Sequence, residues 1–90
     1  MWTLIQVKLL GGAKKSLSTD MISIDINDLT ISGLVDYLQK MKPVDTPDLD
    51  ENNLIIAVNG IDSSALEGKF TKLKNDDVVT IIPIIHGGHL

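Results

Sequence analysis

The eight residues Val78 to Ile85, VVTIIPII, constrain this chain more than any other stretch. Apart from Thr80 they are apolar at every position, so a strand built from them cannot turn one face to water. Such a strand belongs inside a sheet, with neighbours on both edges. Pro83 sets a limit on it, because a proline cannot donate to a ladder and is tolerated only where pairing ends or no acceptor faces it. Pairing is therefore expected to fade near Pro83.

The partners of this strand can be found upstream. Thr3 to Leu9 places Ile5, Val7 and Leu9 on one face of a strand and Leu4, Gln6 and Lys8 on the other. Gly11-Gly12 marks a turn, and Met21 to Ile26 alternates apolar with polar from Ile22 on, so the two runs read as a hairpin. A helix follows, with Ile31, Leu34, Val35, Leu38 and Met41 recurring at three-and-four spacing. Thr30 or Ser32 can cap it, and Pro43 stops it. The proline-rich, acidic segment 43–53 reads as an exposed connection. Leu54 to Val58 forms a short apolar strand, and Asn59-Gly60 is a strong hairpin signal because both residues accept positive φ. A short strand or bend comes next, and Lys74-Asn75-Asp76-Asp77 makes the turn into the long apolar strand. The order strand, strand, helix, strand, short strand, long strand predicts an α+β fold, a mixed sheet with one main helix across one face. Ile5, Val7, Ile22, Ile24, Leu34, Val35, Leu38, Ile56, Val58, Val79 and Ile81 are expected to make its core.

Composition narrows the chemistry. Ninety residues bury roughly 60% of their unfolded surface, enough for one modest core. With 43% of residues hydrophobic and only 3% aromatic, that core must consist of Ile, Leu and Val. The net charge is −4 and all eight basic residues are lysines, so the bidentate arginine contacts of nucleic-acid readers are absent and no direct nucleic-acid binding is expected. Without cysteine there is no disulfide, no thiolate metal site and no cysteine nucleophile, which fits a reducing, cytoplasmic setting. The longest apolar run is too short for a bilayer and the N-terminus lacks a signal-peptide pattern, so no membrane association is expected. No Ser/His/Asp set, metal-ligand set or carboxylate pair stands out, so neither catalysis nor a cofactor is expected. His86 and His89, without cysteine or a fixed carboxylate beside them, make a poor metal site.

Read in order, LLGGAKK, TISGLVDYLQ, VNG, ALEG, LKNDDVV and the terminal HGG span nearly the whole chain. Together they resemble the ubiquitin-like β-grasp proteins, and more narrowly the ubiquitin-related modifiers; they are also similar to the sulfur carriers of molybdopterin and thiamine biosynthesis. The resemblance implies a β-grasp domain over residues 1–86 and a flexible Gly-Gly tail over 87–90, in a monomer. It implies an ATP-dependent activating enzyme that adenylates the C-terminal glycine, after which the acyl group passes to a sulfur acceptor or to an amine of a target protein. Gly88 and Gly87 then carry acyl activation and conjugation. A carboxylate threaded into a narrow active site needs an extended tail without side chains, which glycine supplies. Mature members of the family end on the second glycine, whereas here His89 and Leu90 follow, so a processing peptidase is expected to cut between Gly88 and His89. His86 is expected to contact the activating enzyme. Leu4, Ile82 and Ile84 alternate away from the helix-facing residues and are expected to form one exposed apolar patch that docks a partner. The alternative is a β-grasp interaction module that uses the patch and never activates its tail.

Overall fold

A computed structural model describes residues 3–11, 19–41 and 54–84. It contains β1 (Ile5–Leu9), β2 (Met21–Ile24), α1 (Ile31–Met41), β3 (Leu54–Val58), β4 (Ile61–Asp62) and β5 (Val78–Pro83), with single 3₁₀ turns at Ser63–Ala65 and Gly68–Phe70. The sheet order is β2-β1-β5-β3-β4, so the strand with two apolar faces lies at the centre. β1 and β5 run parallel, with Val7 beside Val79 and Leu9 beside Ile81, while β1–β2, β3–β5 and β3–β4 are antiparallel. Among the described residues this is the mixed sheet with one main helix that the element order predicts.

Alternation sorts the strands into an inner and an outer face. Ile5, Val7, Leu9, Ile24, Ile56, Val58, Val79 and Ile81 are buried, and they share one cluster with Ile31, Leu34, Val35 and Leu38 from α1. The helix thus covers the inner face and leaves the outer one open. Of the expected core residues Ile22 alone is only half-buried, because β2 is an edge strand and the helix stripe does not close over it fully. Met41, expected in the stripe, ends the helix 46% exposed.

The helix begins where the sequence allows it. Thr30 Oγ1 accepts from the Gly33 amide at 3.1 Å, which satisfies one of the free N–H groups of the first turn and decides the cap in favour of Thr30. Lys40 in the last turn complements the negative end of the helix dipole. The N-terminus of α1 is tied to a distant loop: Ile31 N–H donates to Thr71 C=O at 3.0 Å and Leu73 N–H donates to Leu29 C=O at 2.8 Å. Leu29 and Leu73 are thereby drawn into the core, although neither belongs to a periodic run. Asn59 and Gly60 both take positive φ, +52° and +84°, in the tight turn between β3 and β4.

The start of β5 is held by a polar lock. Asn59 Nδ2 donates to Asp77 Oδ1 at 2.9 Å, the Val78 amide donates to Asn59 Oδ1 at 2.9 Å, and the Lys74 amide donates to Asp77 Oδ2 at 2.7 Å. Asp62 caps the first 3₁₀ turn. Hydrogen bonds from the backbone amide and then the hydroxyl of Ser64 hold its carboxyl below its ordinary value.

Candidate functional site at the end of the central strand

The structure places the end of β5, and with it the start of the C-terminal segment, at the middle of the sheet. β5 stops at Pro83, two residues before the apolar run does, and Ile84 lies beyond the strand. The reason is covalent, since Pro83 has no N–H to continue a ladder. His86, Gly87, Gly88 and His89 lie outside the described residues.

Ile82 sits directly opposite Ile55 in the antiparallel pair β3–β5. On its other side the β1–β5 register pairs Leu9 with Ile81, so one step further brings Leu10 beside Ile82. Leu10, Ile82 and Ile55 therefore form a row across three strands of the outer face, 45%, 37% and 40% exposed, with Ile84 next along the chain at 39%. Adjacent strands are about 4.8 Å apart, so a row of three is a contiguous apolar surface. It ends where the chain leaves the sheet.

Leu4 is not part of this surface, which corrects the expectation of a single patch. It too is exposed, at 42%. However, the register sets Gln6 beside Val78, and the Leu4 carbonyl accepts from the Asp76 amide at 2.8 Å. Leu4 thus stands opposite position 76, six residues before Ile82, or about 20 Å along the sheet at 3.3 Å per residue. Its amide donates to Asn75 Oδ1 at 2.8 Å, so its backbone anchors the turn into β5. Leu10 and Ile55, which the sequence reading did not select, replace it. Their signal was the outward phase of each strand, but only the register shows that they meet Ile82.

At the other end of β5, Val58, Ile61 and Leu66 floor an open groove of about 660 Å³, walled by Glu67, Lys72, Lys74 and Asp77. Its formal charges cancel in sign, and both Asp77 oxygens are already engaged in the lock. Among the described residues no group of three or more His, Asp or Glu side chains could hold a metal ion. No described helix is long and apolar enough to cross a membrane.

The family model of the ThiS family matches residues 7–88. The chain belongs to the ThiS family. Its fold is that of the ubiquitin-like β-grasp proteins. The small archaeal modifier protein 1 of Methanosarcina acetivorans superposes with a TM-score of 0.75 at 21% identity, over 98% of this chain and 99% of that one. Urm1 of Trypanosoma brucei gives 0.76 at 23% identity, over 97% of both chains. The archaeal modifier of the same name from Haloferax volcanii gives 0.70 at 16% identity, over 94% and 99%. At such identities these likenesses establish the fold alone. Among proteins of curated function none gives a significant match.

Proposed function

We propose that this ThiS-family chain is a ubiquitin-like protein modifier, a sulfur carrier, or both, working through the carboxyl of Gly88. One observation carries the reading: the family match runs to residue 88 and stops there, leaving His89 and Leu90 outside it. A peptidase cut between Gly88 and His89 then exposes the reactive carboxylate. The Gly88 carboxylate attacks the α-phosphorus of ATP on an activating enzyme and displaces pyrophosphate. The resulting mixed anhydride carries AMP as a leaving group, which a free carboxylate lacks. A persulfide or thiolate of the partner attacks the carbonyl and releases AMP. Attack by the persulfide's outer sulfur gives an acyl disulfide, which a second thiol of the partner cleaves to leave a thiocarboxylate on Gly88 and a disulfide on the partner, whereas attack by a lysine amine of a target protein on the adenylate or thioester gives an isopeptide bond and releases AMP or the thiolate. This chain has no cysteine, so the sulfur nucleophile comes from the partner.

The surface formed by Leu10, Ile55, Ile82 and Ile84 docks the activating enzyme while Gly87 and Gly88 enter its active site. Its place supports this role, because it adjoins the point where the tail leaves the sheet. His86 follows within two residues and contacts the same partner. The protein acts as a cytoplasmic monomer with no catalytic group or cofactor of its own.

The test incubates the full chain, the form ending at Gly88 and its Gly88→Ala variant with ATP and a cognate activating enzyme, and weighs the products. The trimmed form gives the adenylate and the thiocarboxylate or conjugate, and the full chain gives neither. Equal reaction of the full chain sinks the processing step. Silence from the trimmed form sinks the carrier reading and leaves an interaction module.

A further inference from the structure

Asn59-Gly60 is the pair in this chain whose chemistry most favours a spontaneous covalent change. Of Asn27, Asn52, Asn53, Asn59 and Asn75, only Asn59 precedes a glycine. The backbone nitrogen of the following residue can attack an asparagine Cγ, and glycine, without a Cβ, hinders that approach least. The space around Gly60 is open, since nothing lies within 4 Å of a Cβ built on it. Sterics therefore give no protection, and whatever protects the pair has to come from the conformation of Asn59.

That conformation is held by three hydrogen bonds. Asn59 N–H donates to Val78 C=O at 2.8 Å, the Val78 amide donates back to Asn59 Oδ1 at 2.9 Å, and Asn59 Nδ2 donates to Asp77 Oδ1 at 2.9 Å. The set fixes the orientation of the side-chain amide, because Val78 N–H needs an acceptor and the Asp77 carboxylate needs a donor. Both ends of that amide are thus tied to the start of β5. Ring closure onto Gly60 needs Cγ over the Gly60 nitrogen, whereas these bonds direct the side chain toward β5 instead.

We propose that Asn59 is a latent modification site, guarded against conversion to aspartate and isoaspartate only while its lock to Asp77 and Val78 is closed. Once the lock opens, the Gly60 nitrogen loses its proton to solvent and attacks Cγ. A new C–N bond forms, and Nδ2 takes up a proton and leaves as ammonia, which gives a succinimide. Water then opens the ring, at Cγ to leave an aspartate or at the main-chain carbonyl of residue 59 to leave an isoaspartate. The products cannot re-form the lock. A carboxylate oxygen stands in place of the Nδ2 donor, so the attraction to Asp77 Oδ1 becomes a contact between two anions. The isoaspartate also lengthens the main chain by one carbon between Val58 and Ile61, which face each other across the turn. A molecule that has opened at the start of β5 is thereby marked, and it does not close again as before.

The experiment incubates the full chain at neutral pH, in buffer and in unfolding urea, and follows conversion at Asn59 by peptide mass with the isoaspartate resolved by chromatography. Conversion is expected to run at least about tenfold slower in buffer, since two side-chain bonds, one of them to a carboxylate, must break together. Asp77→Ala removes the acceptor of Nδ2 and is expected to speed conversion in the folded protein by about two- to tenfold. Leu38→Ala weakens the core without touching the lock and is expected to keep the original rate. Asn59→Asp reproduces one product and tolerates positive φ as asparagine does, so its expected lower urea midpoint reports the broken lock. Equal rates in buffer and urea overturn the guard. Equal acceleration by Asp77→Ala and Leu38→Ala assigns the protection to the global fold and overturns it as well. If Asp77→Ala does not fold, Leu38→Ala decides alone: a rate that rises in proportion to the lost stability overturns the local guard, and an unchanged rate supports it. An unchanged midpoint in Asn59→Asp overturns the claim that conversion disables the lock.

Discussion

Ile55 and Ile82 face each other across β3 and β5, both on the side of the sheet that the helix leaves bare. Two large aliphatic side chains held opposite one another in water are an unusual use of central strands. A cross-strand pair of this kind is a ready nucleus for a partner's apolar surface. Ile82→Asp and Ile55→Asp should each abolish binding to the activating enzyme while leaving the far-ultraviolet circular dichroism unchanged. Leu4→Asp, about 20 Å away by register, should bind as the original does. Titration calorimetry with the three variants distinguishes this surface from a patch that includes Leu4, which would lose affinity in all three.

Leu38 is fully buried among α1 and the inner face of the sheet. Leu38→Ala should lower the unfolding free energy by about 2–5 kcal/mol, through lost transfer energy and the cavity left behind. Urea denaturation followed by circular dichroism measures it. A loss well under 1 kcal/mol would mean that the helix is not seated as described.

Gly60 offers a case where space is not the issue. Nothing lies within 4 Å of a Cβ built on it, yet its φ is +84°. Gly60→Ala should therefore cost about 1–2 kcal/mol through backbone strain alone, the ordinary penalty for an L residue in the left-handed region. An unchanged denaturation midpoint would show that the turn relaxes into another type.

The Asp62 carboxylate accepts from the amide and the hydroxyl of Ser64, which lowers its folded-state pKa below the ordinary 3.8. A depressed carboxylate contributes stability that is fully present above the unfolded value and is lost as pH falls through the folded one. Asp62→Ala should accordingly destabilise the protein at neutral pH, and the gap to the original should narrow as pH falls below about 3.8. Thermal melts of both proteins across acid pH check the sign. A gap that widens toward low pH would reject the cap.

Much of this molecule is written locally. The two-faced apolar run placed β5 at the centre of the sheet, the three-and-four stripe placed α1, and Asn59-Gly60 and Lys74–Asp77 placed their turns. Each of these depends on neighbours in the chain: side-chain alternation, helical period, or a residue that tolerates positive φ. Pro83 likewise announced where pairing would stop, because its missing donor is a covalent fact. The order of the short motifs, from LLGGAKK to the terminal HGG, likewise carries the resemblance to the β-grasp fold.

What the chain could not disclose locally was register. Whether Leu4 or Leu10 stands beside Ile82 depends on how β1 slides against β5, and both leucines have the same outward phase. The slide is chosen by the packing of Ile5, Val7 and Leu9 against Val79, Ile81 and the helix, a many-body fit between segments some seventy positions apart in the sequence. For the same reason Leu29 and Leu73 gave no sign of being core residues. They are single leucines beside turns, and only the backbone bond between them, across the start of the helix, carries them out of water. The sequence by itself determined the elements, their order and the glycine pair on which the chemistry is proposed. The tertiary structure alone decided which apolar side chains stand together where β5 ends, since adjacency across strands is a property of the assembled sheet and of no single segment.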